Sequence, residues 1–184
     1  MLNACGCFDA RILTIIESRR ISWEDLASGS GAAMDRLGMK ESARKEFLGL
    51  LSSGWYDREV ESCESMGVRL IFSGDPGYPS MLADMIDPPL VLYESGSGLP
   101  SGERVAVVGT RRCTSYGSNC ASDLASVLVD VGVAVVSGGA RGIDAAAHRG
   151  CMSSGGRTVA VTGTGADISY PASHSALFRE IREE

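Results

Sequence analysis

The second half of the sequence predicts an α/β fold with a parallel sheet covered by helices. From Arg104 onward, short apolar runs alternate with stretches of helical periodicity. The apolar runs are continuous rather than alternating, which is typical of strands buried on both faces inside a parallel sheet. Three strands with a helix after each indicate the Rossmann-like class. The predicted strands are 105–108, 133–136 and 158–161, and the predicted helices are 117–131, 143–152 and 173–182.

The first 66 residues predict a small helical domain. Leu13 and Ile16 form one apolar face, and Ser22 is a candidate N-cap with Glu24 and Asp25 in the first turn after it. A packing role for this domain is favoured over a role as an interaction module. Its other elements are a break at 28–31 and predicted helices at 40–51 and 57–66.

The segment 67–102 is interpreted as an extension and linker that leads into the sheet. Short strands are predicted at 68–72 and 90–93, and four prolines mark the turns between them. The Ser- and Gly-rich stretch 95–102 is the clearest linker in the chain. The predicted organisation is therefore a helical domain over 1–66, this extension over 67–102 and a sheet domain over 103–184.

Composition excludes several classes of protein. The chain has 184 residues, of which 44% are hydrophobic and 22% charged, as expected of a globular protein. No apolar run approaches the ~20 residues of a membrane span, and no signal peptide is recognisable, so the cytoplasm is the expected location. The six cysteines include no CxxC pair or zinc-type Cys/His cluster. Cys5 and Cys7 are interpreted as incidental thiols, and no metal is predicted.

Charge is distributed unevenly along the chain. Residues 1–100 carry nine Lys and Arg against 15 Asp and Glu, whereas residues 101–184 carry eight of each sign, and all eight bases are Arg. The overall acidity argues against indiscriminate binding of nucleic acid. A local arginine cluster remains suited to phosphate recognition.

Three unusual loops follow the predicted strands. The first loop is GTRRCTSYG (109–117), the second is SGGARGID (137–144) and the third is TGTGADISYP (162–171). Ligands of parallel sheets bind at the carboxyl ends of the strands. Glycines allow close approach there, and helix N-termini offer N–H groups to anions. The loops also contain Arg111, Arg112 and Arg141, which can form charge-assisted hydrogen bonds. These features predict a phosphorylated ligand.

Cofactor and catalytic motifs are absent from the sequence. The loops contain neither G-x-G-x-x-G nor G-x-x-x-x-G-K-[ST], so no dinucleotide or ATP cofactor is predicted. His148 follows Asp144 by one helical turn, and the two either face each other or serve packing and capping. His174 has no recognisable acidic partner. Without a nucleophile and base, we predict that the chain is not an enzyme.

The loop sequences resemble a known family. VAVVGTRRCTSYG, VVSGGARGIDAAAH and TVAVTGTGADISYP, in this order, are similar to the DNA-processing protein A (DprA/Smf) family. The upstream GDPGYPSML and DPPLVLYESG match the segment before that family's Rossmann-like domain. The resemblance covers about residues 67–178, and the helical N-terminus is similar in position and character to the family's SAM-like domain.

The resemblance implies binding of single-stranded DNA in natural transformation, protection of the incoming DNA and its delivery to the RecA recombinase. Tyr116 and Tyr170 are the candidates for base stacking, although either is equally interpretable as a tyrosine at the edge of the core. Together with the phosphate argument, the motifs predict a set of nucleic-acid-binding residues. They are Gly109, Thr110, Arg111, Arg112, Ser137, Gly138, Gly139, Arg141, Gly142, Asp144 and Gly163.

The chain departs from the family pattern in three ways. Gly139 replaces the usual Leu, and His174 stands where the pattern has Asn. The chain also stops after about three strands of the sheet, which predicts an exposed edge and a C-terminally incomplete domain, as in a fragment. The resemblance implies a homodimer and a surface for RecA, and the family's surfaces for both lie in the further strands that follow the third.

Two other functions are open at this point. One is a Rossmann-like enzyme acting on a nucleotide or nucleotide sugar, although the P-G-G-x-G-T-x-x-E loop of such enzymes is missing. The other is a truncated remnant that acts only through protein interactions, for which the acidic N-terminal region is the supporting feature.

Overall fold

The structure is a computed structural model that describes residues 11–184. It forms two compact units, the first ending at Glu94 and the second spanning Ser95–Glu184. The division falls inside the segment 67–102 that the sequence marks as an extension and linker. No helix among residues 11–184 is both long and apolar enough to cross a bilayer.

The first unit is mainly helical. The capping prediction is confirmed, since the Asp25 amide donates to the Ser22 hydroxyl at 3.3 Å. Helix α3 begins at Gly31, the last residue of the predicted break at 28–31, and no helix was predicted between that break and residue 40. Ser30 accepts a hydrogen bond from the Ala33 amide and caps this helix. The helices are α1 (Arg11–Ser18), α2 (Trp23–Ala27), α3 (Gly31–Leu37), α4 (Glu41–Ser52), α5 (Trp55–Ser65) and α6 (Ser80–Ala83), and a two-stranded sheet contains β1 (Val68–Phe72) and β2 (Val91–Ser95).

The second unit contains the predicted parallel sheet. Its strands lie in the order β3-β4-β5, with Ala106 opposite Val136 and Ser137 opposite Ala160. The predicted α/β fold is therefore confirmed. The elements are β3 (Arg104–Ala106), α7 (Ser115–Asp130), β4 (Ala134–Ser137), α8 (Ile143–Ser153), β5 (Thr158–Ala160), a 3-10 turn (Ala172–His174) and α9 (Ser175–Glu183).

The prediction that every strand is covered on both faces is wrong for β3. Val107, just after the strand, is buried, but Val105 and Val108 are 40% and 68% exposed. The reason is position, because β3 lies at the edge of the three-strand order whereas β4 lies in the middle. Val135 of β4 is accordingly fully buried.

Small residues bring α7 and α8 into close contact over the sheet. Ala125, Ala147 and Cys151 are fully buried between these helices and β4. A Cβ atom added at Gly150 would lie 2.5 Å from the carbonyl oxygen of Ser122, so the two backbones nearly touch there. This packing fixes α8, whose N-terminus begins at the carboxyl edge of the sheet.

Candidate nucleic-acid interface

The first and second loops are tied together at the carboxyl edge of the sheet. The amide of Ile143, at the start of α8, donates to the carbonyl oxygen of Thr110 at 3.2 Å. The buried carboxylate of Asp144 accepts the amides of Gly109 and Ala140, both at 3.3 Å, one with each oxygen. Asp144 therefore joins the two loops and is engaged by the backbone on both of its oxygens.

The glycines of these loops make room chiefly for protein atoms. A Cβ atom at Gly109 would lie 2.7 Å from Ile143 Cγ1, and one at Gly138 would lie 2.9 Å from Asp144 Oδ2. Gly142 has φ of +80°, and its Cβ would overlap the carbonyl oxygen of Thr110. On sequence alone, these glycines are interpreted as making room for a ligand. In the structure, atoms of the neighbouring loop and of the start of α8 fill the space beside them. The effect is to hold the two loops at a fixed distance.

Arginine side chains project from this fixed base. Arg111, Arg112 and Arg141 are exposed, and among the described residues their guanidinium groups have neither a hydrogen-bond partner nor an ion-pair partner. Within the same part of the chain, the amides of Arg141 and Gly142 also have no acceptor. The two tied loops thus present positive charge to solvent, and two of their backbone N–H groups have no acceptor among residues 11–184.

Two other predicted site residues, Ser137 and Gly163, do not take part in the contact between the first and second loops. Ser137 is buried, and its hydroxyl donates to the carbonyl oxygen of Val107 at 2.6 Å, so it joins β4 to the end of β3. The amide of Val161 donates to the Ser137 carbonyl at 2.8 Å, which places the start of the third loop beside the second. Gly163 is exposed, and a Cβ atom there would meet nothing within 4 Å. Its missing side chain therefore makes no room for a neighbouring part of the described chain.

His148 is a buried structural residue. Its Nδ1 lies 2.7 Å from Thr158 Oγ1, and that hydroxyl already donates to the Val135 carbonyl at 2.9 Å. Nδ1 must therefore carry the proton and donate, which leaves Nε2 as an acceptor that has no partner among residues 11–184. Burial lowers the pKa of His148 to about 4, with the charge of Asp144 opposing the shift and that of His174 adding to it. At neutral pH this imidazole is uncharged and packed within the fold.

His174 and Phe178 contact the second loop from the side of α9. His174 Nδ1 lies 3.0 Å from the carbonyl oxygen of Gly139, and both residues are buried. A Cβ atom at Gly139 would lie 2.5 Å from Cε1 of the Phe178 ring. Sequence reasoning missed both contacts. One indication of these contacts is present in the sequence, which is that Gly139 and His174 both depart from the family pattern.

The two candidate stacking residues are both on the surface. Tyr116 is 79% exposed and Tyr170 is 62% exposed, which excludes a position at the edge of the core for either ring. A hydrogen bond with Cys120 raises the pKa of the Tyr116 hydroxyl. Both rings are open to contact by a flat ligand.

The described residues offer little to a metal ion. Among residues 11–184, no three His, Cys, Asp or Glu side chains are grouped closely enough to hold one. Cys5 and Cys7, which the sequence analysis considered, lie outside the described residues.

Curated relatives are similar to this chain in sequence. Protein Smf of Synechocystis sp. is 38% identical over 133 residues, which cover 68% of this chain and 33% of the relative. Putative DNA processing protein DprA of Mycobacterium tuberculosis is 52% identical over 98 residues, or 52% of this chain and 25% of the relative. The chain thus matches a third or less of the length of these relatives.

Solved structures share the fold. DNA processing protein A from Streptococcus pneumoniae matches with a TM-score of 0.76 at 28% identity, covering 100% of this chain and 62% of that one. DNA processing protein A from Helicobacter pylori, described for its single-stranded DNA binding mode, matches with a TM-score of 0.54 at 27% identity over 63% of this chain and 52% of that one. The DNA recombination-mediator protein A family matches residues 69–184, more than half of the sequence. The chain belongs to this family.

Proposed function

We propose that this chain binds single-stranded DNA through its sugar-phosphate backbone at the two tied loops. The observation that carries the proposal is a set of three exposed arginines, without partners among residues 11–184, on a base fixed by Asp144. Guanidinium forks and free amides are suited to phosphate oxygens, and such contacts are independent of base sequence. The Helicobacter pylori protein, which is described for its single-stranded DNA binding mode, supports the choice of ligand.

Preference for single strands requires a second feature beyond phosphate contacts. Unpaired bases expose faces that stack on aromatic side chains, whereas the bases of a duplex are already stacked. Tyr116 and Tyr170 are exposed enough to supply such contacts. We propose that one or both of these rings contact bases while the arginines hold phosphates.

Binding without catalysis is part of the same proposal. His148 is buried and bonded to Thr158, and Asp144 accepts two backbone amides, so neither side chain is free to act as a base on a ligand. The alternative of a nucleotide-processing enzyme is not favoured by the named relatives. Action in the cytoplasm during natural transformation, delivery to RecA and homodimerisation stay predictions from the family resemblance.

Fluorescence anisotropy with a labelled single-stranded oligonucleotide tests the proposal. Three phosphate contacts predict that log K falls with log salt with a slope of about 2, given ~0.7 for each contact to a single strand. A duplex of the same sequence is the control and is expected to bind more weakly. Absence of binding at low salt, or equal affinity for the duplex, contradicts the proposal. Turnover of a nucleotide by the purified chain would support the enzyme instead.

A further inference from the structure

The peptide group between Gly139 and Ala140 is held at both ends. Its carbonyl oxygen lies 3.0 Å from His174 Nδ1, and its N–H donates to Asp144 Oδ2 at 3.3 Å. A carbonyl oxygen can only accept, so Nδ1 of His174 carries a proton and donates. Asp144 lies in the first turn of α8, and His174 ends the 3-10 turn before α9, so the two partners come from different elements. Together they fix the plane of this peptide group.

The Phe178 ring holds the same residue from another direction. Gly139 is buried with φ of +70°, and a Cβ atom there would lie 2.5 and 2.6 Å from Cε1 and Cζ of the ring. The ring therefore packs directly on the glycine backbone. Any side chain at this position would have to displace the ring or move the loop.

The residues that follow this peptide group include the exposed Arg141. Arg141 and Gly142 come next in the chain, and their amides have no acceptor within the described part of the molecule. Their directions depend on the peptide plane before them, because the chain has only two free dihedral angles per residue. A change at His174 is thereby transmitted to the exposed end of the loop although His174 itself is buried.

We infer that His174 is a positioning residue for the DNA site, which orients the second loop through the Gly139 carbonyl without touching the ligand. This inference rests on the proposed function. His174 lies outside all three loops and does not belong to the predicted phosphate-binding residues. His174 and Gly139 together influence the affinity of the chain for single-stranded DNA.

The test compares His174→Ala with His174→Asn in the full 184-residue chain. The Asn amide can donate to the same carbonyl, whereas Ala leaves the buried oxygen unpaired. We expect His174→Ala to weaken binding of the single-stranded oligonucleotide by about 3- to 10-fold, as for loss of one hydrogen bond. His174→Asn is expected to restore affinity to about twofold of the original, a rescue that a purely steric role would not give.

His148→Ala is the matched control. It removes a second buried histidine of the same unit, whose bond goes to Thr158 and not to the loop. It is expected to lower thermal stability while leaving affinity unchanged at a temperature where the variant is folded. If His174→Ala does not fold, His174→Gln takes its place, since its longer side chain puts the amide beyond the position of Nδ1.

Amide hydrogen exchange separates failure of this inference from failure of the proposed function. His174→Ala is expected to speed exchange of the Ala140 amide, and His148→Ala is not. If the original chain does not bind DNA, the proposed function fails while this measurement still tests the loop. Unchanged affinity and unchanged Ala140 exchange in His174→Ala, or equal weakening by His148→Ala, would overturn the inference.

Discussion

The two units of this chain are packed in opposite ways. The core of the first unit is filled by large side chains from α1 to α4, including Ile12, Met34 and Phe47. The core of the second unit is filled mainly by small ones, such as Ala125 and Ala147, so that backbones come close to each other. Large side chains hold helices together at a distance, whereas small residues let helices and loops touch through their backbones.

This difference accounts for where the candidate site lies. In the second unit, close backbone packing fixes α8 and ties the first loop to the second through Asp144. The side chains of the loop arginines are then free to face solvent. The first unit has no corresponding set of tied loops among its described residues, and the chain up to residue 100 is acidic. The contrast predicts that shortening a buried side chain destabilises the first unit, whereas adding atoms to a buried glycine destabilises the second.

The largest expected effect is from Phe47→Ala in the first unit. Phe47 is 3% exposed, and removal of its ring is expected to lower the free energy of unfolding by about 3–5 kcal/mol. Trp23 and Trp55 are the only tryptophans and both lie in this unit, so tryptophan fluorescence during urea unfolding measures it directly. Leu48→Ala is the control, since Leu48 is 38% exposed. Equal losses in the two variants would contradict this description of the core.

The free energy of unfolding is expected to depend on pH through His148 in the second unit, with an effect of about the same size. Its pKa is lowered to about 4 in the folded chain, so between pH 6.5 and 4 the unfolded chain binds the additional proton. Stability from this group is complete above about pH 6.5 and is lost progressively toward pH 4. The expected loss is up to about 3 kcal/mol.

His148→Asn is the matched variant for this prediction. Its amide can donate to Thr158 as Nδ1 does, but it does not titrate. Urea unfolding followed by circular dichroism at several pH values should show a smaller dependence on pH in the variant. An identical pH dependence in both proteins would show that His148 is not the group responsible.

Two helical glycines provide the sharpest comparison of the units. Gly150→Ala on α8 is expected to destabilise the chain by about 1–3 kcal/mol, because the new Cβ would lie 2.5 Å from the Ser122 carbonyl. Gly49→Ala on α4 has nothing within 4 Å of the new atom and is expected to stabilise by about 0.5–1 kcal/mol. Thermal unfolding of both variants should therefore give shifts of opposite sign. Shifts of the same sign would break the contrast between the units.

Much of the fold could be predicted from local patterns. The apolar runs and helical periods placed β4, α7 and α8 within two residues of their observed ends. Burial of β3 was mispredicted, because an apolar run does not reveal which strand lies at an edge. Helix α3 was missed, because Ser and Gly at 28–31 favour both a break and a cap.

The residues of the candidate site could be proposed from the sequence, whereas their arrangement could not. The three arginines could be identified because charge among glycines is conspicuous in a sequence. That Gly109, Gly138 and Gly142 serve the contact between loops is a tertiary property, visible only once Ile143, Asp144 and Thr110 are placed. The contact of His174 with Gly139 joins residues 35 positions apart, and no local pattern indicates such a pair.

The central claim is that the loop arginines bind the DNA backbone, and their effect on salt-dependent affinity tests it most directly. Arg111→Ala and Arg141→Ala are compared with Arg69→Ala, which removes the same charge from the first unit, where Arg69 pairs with Glu94. Fluorescence anisotropy across a salt series should show that each loop variant weakens binding of single-stranded DNA and reduces the salt slope by about 0.7, whereas Arg69→Ala leaves both nearly unchanged. Affinity and slope that stay the same in both loop variants would contradict the claim.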